Sequence, residues 1–201
     1  MKVLGVIPAR SGSKGVKNKN IKKLGNVPLI GWTINATKNT TLNKVIVSTD
    51  GQDIADFAIQ YGCEVPFLRP SELSSDNATS LSVIQHALQH FKLLGQTYDA
   101  VMMLQPTTPF RSSKDIDAAI TLLKENWLTV DSVISVTNVE GHHPARMKFM
   151  NEDSILIDPE YCETVENQPR QELRPMYIRN GAIYLTKTEV IEKHSFKGNN
   201  C

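Results

Sequence analysis

A basic, glycine-containing segment follows the first apolar run of the chain. Residues 3–7 have the composition of a buried strand, which Pro8 ends. Gly12 and Gly15 permit a tight turn, and the same segment carries four cations: Arg10, Lys14, Lys17 and Lys19. Loops at the ends of parallel strands bind ligands in open α/β sheets, so the segment predicts a site for a nucleotide triphosphate. The alternative is a solvated basic turn, because runs of charge usually lie on the surface.

This loop fits neither of the two common phosphate-binding signatures, G-x-x-x-x-G-K-[ST] and G-x-G-x-x-G. A second polar candidate is Gln105, which directly follows an apolar stretch and is flanked by Pro106 and Pro109. Its amide can donate and accept at a substrate hydroxyl, or it can simply stabilise a turn. His142 and His143 are adjacent and have no third ligand nearby in sequence, so we predict no zinc site and assign no metal ligand.

Strands and helices alternate along the sequence, as a doubly wound sheet requires. After the first strand, apolar runs predict strands at 45–47, 64–68, 101–104, 132–136 and 182–185. Helical spacing predicts helices at 50–61 and 81–91, and a third that Ser112 or Ser113 caps. Asp50 or Gly51 begins the first of these helices, and the spacing from Asp50 to Asp53 favours a helix cap at Asp50 over the alternative role of magnesium ligand. The alternation stops between residues 138 and 175, which predicts an insertion; an ordinary surface excursion is the alternative.

Composition indicates a small enzyme of the cytoplasm. The 201 residues suit a single α/β domain covering 1–201, and a net charge of +1 argues against a protein that coats nucleic acid or an anionic membrane. No apolar run has membrane-spanning length, and the first apolar run is too short for a signal peptide. The three cysteines lack metal-ligand spacing, so reduced thiols are expected.

Several ordered motifs resemble the acylneuraminate cytidylyltransferases, also called CMP-sialic acid synthetases. They are I-P-A-R-S-G-S-K-G from Ile7 with K-N at Lys19, L-R-P-S-E-L-S-S-D at 68–76, L-Q-P-T-T-P-F-R at 104–111, Q-P-R at 168–170 and N-G-A-I-Y at 180–184. The resemblance covers nearly the whole chain. It implies a Rossmann-like, three-layer nucleotidyltransferase domain with a mainly parallel sheet, and it makes residues 138–175 a dimerisation arm that reaches the active site of a second subunit.

The resemblance also implies a reaction, in which CMP passes from CTP to the anomeric hydroxyl of a sialic-type nonulosonic acid and pyrophosphate leaves. The residues implied as catalytic are Arg10, Lys19 and Gln105. Those implied in nucleotide binding are Ala9, Arg10, Ser11, Gly12, Ser13, Lys14, Lys19, Asn20, Arg69, Ala78 and Ser80. Those implied in sugar binding are Gln105, Thr107, Arg146, Arg170 and Arg179, since guanidinium binds a carboxylate in a bidentate fork.

Magnesium is the cofactor that the resemblance implies, held by closely spaced aspartates beyond N-G-A-I-Y. The chain runs to Cys201 without such a pair, and we expect its polar tail, 193–201, to be frayed. Two alternatives therefore stay open. One is a cytidylyltransferase for another acidic sugar, such as legionaminate, pseudaminate or an eight-carbon ulosonate. The other is an inactive nucleotide-binding module.

Overall fold

The chain forms two compact units, described by a computed structural model that covers residues 1–12 and 15–201. We call residues 1–135 with 181–201 the main unit, and residues 136–180 the arm. The strands are β1 (Val3–Pro8), β2 (Lys23–Leu24), β3 (Val27–Pro28), β4 (Lys44–Ser48), β5 (Ala100–Met103), β6 (Ser132–Asn138), β7 (Phe149–Met150), β8 (Leu156–Ile157) and β9 (Tyr177–Lys187). The helices are α1 (Leu29–Thr37), α2 (Gln52–Gln60), α3 (Ser80–Leu93), α4 (Ser113–Glu125) and α5 (Thr188–Glu192).

The central sheet has five strands in the order β4-β1-β5-β9-β6. β1 runs parallel to both neighbours, with Val6 opposite Ile46 on β4 and Met103 on β5, whereas β9 is antiparallel to β5. The predicted α/β fold with a mainly parallel sheet is confirmed. Because β1, β4 and β5 are parallel, their carboxyl ends meet at one edge of the sheet.

Alternate side chains of β1 enter two different apolar cores. Val3 and Ile7 pack with α1, α2 and α4 on one face, while Leu4 and Val6 pack with α3 and α5 on the other. This alternation follows from the two-residue period of a strand. A strand that is apolar on both faces is therefore buried between two helical layers.

Two helices begin at side-chain caps. The Ser112 hydroxyl accepts a hydrogen bond from the N–H of Asp115, and the Asp115 carboxylate accepts from the N–H of Ser112, which completes a capping box at α4. At α3 the Thr79 hydroxyl accepts from the N–H of Ser82. The first turn of α3 is thereby fixed next to the segment that carries Ala78.

Two predictions about the region around β4 are wrong. Residues 64–68 do not form a strand; only isolated bridges join Glu64 to Ile46 and Leu68 to Thr49. Pro66 lies between them and has no N–H to donate to a ladder. Asp50 does not cap α2, because Gly51 occupies the cap position and offers no side chain.

The carboxyl-terminal segment is ordered, contrary to the expectation of a frayed tail. The N–H groups of Asn199 and Asn200 donate to Oδ2 of Asp131, at 2.7 and 3.2 Å. The Ser132 hydroxyl donates to the carbonyl of Lys197 at 2.8 Å. Local polarity suggested disorder, whereas contacts with residues distant in sequence hold this segment in place.

The arm contains a short hairpin with large exposed apolar side chains. β7 and β8 pair antiparallel, with Phe149 opposite Ile157 and Met150 opposite Leu156, and all four residues are exposed. His143 is buried. Its Nε2 atom lies 3.0 Å from the carbonyl of Arg174, and its Nδ1 atom interacts with the N–H of Ala145.

Within the ranges described above, every helix is too short or too polar to cross a bilayer.

Candidate nucleotide-binding site

The loop after β1 is held by hydrogen bonds to its own backbone. The N–H of Ala9 donates to the carbonyl of Ser48 on β4 at 3.0 Å. Nδ2 of the buried Asn20 donates to the carbonyl of Arg10 at 2.9 Å, from a short 3-10 turn over Lys19–Ile21. The two ends of the basic segment therefore support each other. The Ala9 side chain is fully buried in the core, so a nucleotide contact from this residue can use only its carbonyl.

A cleft of about 420 Å³ opens at the edge where the parallel strands end. It brings together predicted nucleotide-binding and sugar-binding residues from three separate segments of the main unit. Those that line it are Arg10, Lys19, Asn20, Arg69, Ala78, Ser80, Gln105 and Thr107. The sequence motifs are far apart along the chain, and the parallel sheet places them around one cavity.

Arg10 forms an ion pair inside this cleft. Its Nη2 atom lies 2.9 Å from Oδ1 of Asp76, and the two side chains are 34% and 45% exposed. Asp76 also lines the cleft, although the sequence motif did not assign it a role. A phosphate that binds Arg10 must share the guanidinium with this carboxylate or displace it.

Arg69 is buried at the base of the cleft. Its N–H donates to the carbonyl of Thr49 at 2.7 Å, and Nε donates to Oγ of Ser74 at 3.1 Å. Nη2 lies 3.8 Å from Oδ1 of Asp50. Burial lowers the pKa of the guanidinium and the negative charge of Asp50 opposes this shift, so Asp50 favours the charged form.

Gln105 is fixed by the loop between β5 and α4 and by the start of the buried part of β9. The Arg111 side chain donates from Nη2 to the carbonyl of Gln105 at 2.8 Å and from Nε to that of Ala182 at 2.6 Å. Arg111 is buried, and burial lowers its pKa to about 10. Gly181 has φ +79°, and a Cβ added there would lie 2.7 Å from Oε1 of Gln105. Only a residue without a side chain allows the Gln105 amide to lie at this position.

The remaining predicted residues fall into three groups. Ser13 and Lys14 lie outside the described residues. Ser11 and Gly12 belong to the loop next to the cleft, where Ser11 is hydrogen-bonded to Asp50.

Three arginines belong to the arm and are exposed there: Arg146, Arg170 and Arg179. Arg146 donates to the carbonyl of Gln168, and its Nε lies 3.6 Å from Glu163. The roles proposed for all of these residues stay predictions.

The charges around the cleft favour a polyanion. Arg10, Lys19 and Arg69 supply positive charge, and the amide of Gln105, which also lines the cleft, supplies a donor and an acceptor. In the part of the chain that the structure describes, no three histidine, cysteine or carboxylate side chains converge as a metal site. The arrangement can bind phosphates and orient a hydroxyl group near them.

Two site residues lacked a clear signal in the sequence. Gly181 is a glycine inside an apolar strand pattern, a position that often marks close approach of the backbone to another group. Asp76 ends the motif at 68–76, for which the resemblance implies base recognition by Arg69, but the sequence indicates at most a helix cap for Asp76 itself. Both gain their roles from contacts with residues far away in sequence, Gln105 and Arg10.

The fold is that of a nucleotidyltransferase. A solved structure titled CMP:2-keto-3-deoxy-manno-octonic acid synthetase complexed with CTP superposes with a TM-score of 0.72, at 15% identity, over 96% of this chain and 77% of that one. The family model described as Cytidylyltransferase matches residues 4–194. The chain belongs to the cytidylyltransferase family, and it is therefore an enzyme that transfers a cytidylyl group.

Two curated relatives match over nearly the whole chain. The CMP-N,N'-diacetyllegionaminic acid synthase of Legionella pneumophila is 36% identical over 198 residues, which are 98% of this chain and 83% of that protein. The N-acylneuraminate cytidylyltransferase of Escherichia coli is 35% identical over 201 residues, which are 97% of this chain and 45% of that protein. The resemblance inferred from the motifs is confirmed.

Proposed function

We propose that this chain transfers CMP from CTP to the anomeric hydroxyl of an acidic nonulosonic sugar. The anomeric oxygen bonds to the α-phosphorus, the bond to the bridging oxygen of pyrophosphate breaks, and the hydroxyl proton is released. One observation carries the proposal: a cationic loop, a buried arginine and a strand-end amide converge on one cleft. Positive groups that hold the departing pyrophosphate stabilise the charge that develops in the transition state.

The proposed roles combine the family resemblance with the position of each residue in the cleft. Arg10 and Lys19 bind the phosphates, and Arg69 with Ala78 and Ser80 binds the cytosine. Gln105 orients the sugar hydroxyl, and the absence of a side chain at Gly181 leaves room for its amide. A legionaminate-type sugar is the first alternative to N-acetylneuraminate, since a relative named as a legionaminic acid synthase matches over 98% of the chain.

Magnesium is proposed to enter with the phosphates of CTP. Mg²⁺ commonly keeps several waters and binds one or two carboxylates together with substrate phosphates. The described side chains do not form a preformed site for the ion, and the cleft carboxylate of Asp76 is paired with Arg10. When bound, the ion would neutralise phosphate charge; the steps above rely on the cationic side chains.

We expect sugar-dependent release of pyrophosphate when the protein is mixed with CTP, magnesium and an acidic sugar. The panel contains N-acetylneuraminate, diacetyllegionaminate, pseudaminate and 3-deoxy-octulosonate, with UTP, no-sugar and EDTA controls. The sugar with the highest kcat/KM identifies the substrate, and loss of activity in EDTA supports the metal. CTP binding by calorimetry without turnover of any sugar would instead favour the nucleotide-binding module.

We further propose that the arm joins two copies of the chain in the cytoplasm, where CTP is made. The support is the exposed apolar hairpin of the arm, with Phe149 and Met150 each 67% exposed and Leu156 62% exposed. Contiguous apolar surface of this kind marks an interaction site in a soluble protein. In such a dimer the exposed arm arginines are proposed to bind the sugar carboxylate in the neighbouring active site.

Leu156→Asp is expected to convert the dimer to a monomer, because a carboxylate in an apolar interface is left without a partner. Light scattering after size-exclusion chromatography measures the mass. The matched control is Leu128→Asp, which introduces the same charge at a leucine of the main unit that is 95% exposed. A monomeric wild-type protein, or a Leu156→Asp variant that stays dimeric, would contradict the role of the arm.

A further inference from the structure

The residues that end β4 contact two segments of the proposed site. The carbonyl of Ser48 accepts from the N–H of Ala9, in the phosphate-binding loop, at 3.0 Å. The carbonyl of Thr49 accepts from the N–H of Arg69, in the base-binding segment, at 2.7 Å. Asp50 comes next, and its side chain contacts both segments.

On the loop side, the Asp50 carboxylate holds Ser11 at two points. Oδ1 accepts from the backbone N–H of Ser11 at 2.9 Å, and Oδ2 accepts from its hydroxyl at 2.8 Å. Hydrogen bonds to an ionised acceptor are roughly twice as strong as neutral ones. A Cβ added at Gly51 would lie 3.1 Å from Cβ of Ser11, so the backbone beside Asp50 also limits where this part of the loop can lie.

On the base side, the same carboxylate faces Arg69. Oδ1 lies 3.8 Å from Nη2, and the two side chains are only 22% and 3% exposed. Oγ of Ser74 accepts from Nε, so the guanidinium is held from two directions. A buried guanidinium needs such partners, because desolvation without compensation is costly.

We infer that Asp50 is a positioning residue that couples the phosphate-binding loop to the arginine that reads the base. The inference rests on the proposed binding of a cytidine nucleotide. It replaces the helix-cap interpretation, since Gly51 rather than Asp50 caps α2 and both carboxylate oxygens accept from Ser11. The Asp50 carboxylate thus positions Ser11 at the phosphate end of the nucleotide and Arg69 at the base end.

The test measures binding of two fragments, pyrophosphate for the phosphate end and CMP for the base end, by calorimetry. Asp50→Asn keeps the shape and removes the charge, and we expect the Kd of both fragments to rise about tenfold or more. Ser11→Ala should weaken pyrophosphate more than CMP, and Ser74→Ala should weaken CMP more than pyrophosphate. The matched control is Asp53→Asn, which makes the same charge change at an exposed carboxylate of α2 and should leave both constants within twofold.

Asp50→Glu provides a second variant if the asparagine variant does not fold. It keeps a negative charge near Arg69 but displaces the acceptors from Ser11, so CMP binding should be retained better than pyrophosphate binding. The coupling would be overturned if Asp50→Asn weakened the binding of only one fragment, or if its two Kd values matched those of Asp53→Asn. In either case, CTP binding by the wild type would still support the proposed function. A wild type that binds no CTP would instead contradict the proposed function and this inference together.

Discussion

Replacing Arg10 with alanine is expected to lower kcat/KM for CTP by about 100-fold to 1,000-fold, the loss typical for removal of one donor that stabilises transition-state charge. Arg10 lines the cleft and offers a planar fork of donors to phosphate oxygens. Arg10→Lys retains the charge without the fork and should lie between the alanine variant and the wild type. Steady-state release of pyrophosphate at varied CTP measures the effect.

The ion pair with Asp76 requires a specific control, because Arg10→Ala also leaves that carboxylate without this partner. If repulsion by Asp76 caused the loss, the double variant Arg10→Ala/Asp76→Asn would recover most of the activity. We expect little recovery, since the missing group is the phosphate donor itself. Lys23→Ala removes an exposed cation from nearby β2 and should change kcat/KM by less than about twofold.

Gly181→Ala is expected to reduce kcat about tenfold or more with a moderate loss of stability. The added Cβ would lie 2.7 Å from Oε1 of Gln105, so the amide must move away from the position it holds over the cleft. Displacement of a substrate-positioning group by about 1 Å can cost on the order of 100-fold in rate. The positive φ of +79° adds a conformational cost of about 1–2 kcal/mol in the folded state.

Gly62→Ala separates these two effects. Gly62 has φ +82°, close to that of Gly181, yet no described atom lies within 4 Å of the Cβ position. Both variants should therefore lose similar stability in thermal unfolding, whereas only Gly181→Ala should lose kcat. Equal kcat in the two variants would show that Gly181 has no role in orienting Gln105.

Elements whose patterns reflect burial on the sheet could be predicted from the sequence. The strand at 3–7, the helix with Ile84 and Phe91, and the cap at Ser112 all depend on local periodicity or on a side chain that bonds its own helix. The strand expected at 64–68 failed because Pro66 prevents a continuous ladder. Pro66 is a local signal against a central strand, and it outweighs the apolar residues around it.

Some residues of the cleft could likewise be predicted from the sequence, and others could not. Arg10, Lys19 and Gln105 could be predicted because they belong to motifs that resemble the family. Arg10 and Gln105 also lie just after apolar strands, and parallel strands bring such positions together. The residues that contact Arg10 and Gln105 could not be predicted in this way. Asp76 pairs with Arg10 across 66 positions of sequence, and Gly181 touches Gln105 across 76. The sequence does not show which distant residue each of them contacts, so their roles require the structure.

The pair between Arg10 and Asp76 also bears on nucleotide selection. A carboxylate beside the cationic loop acts as an internal competitor, which an incoming ligand must outweigh with its own negative charge. Under the proposed function, CTP brings three phosphates to this guanidinium, whereas the CMP-sugar product keeps one. We therefore expect Asp76 to weaken retention of the product relative to the binding of CTP.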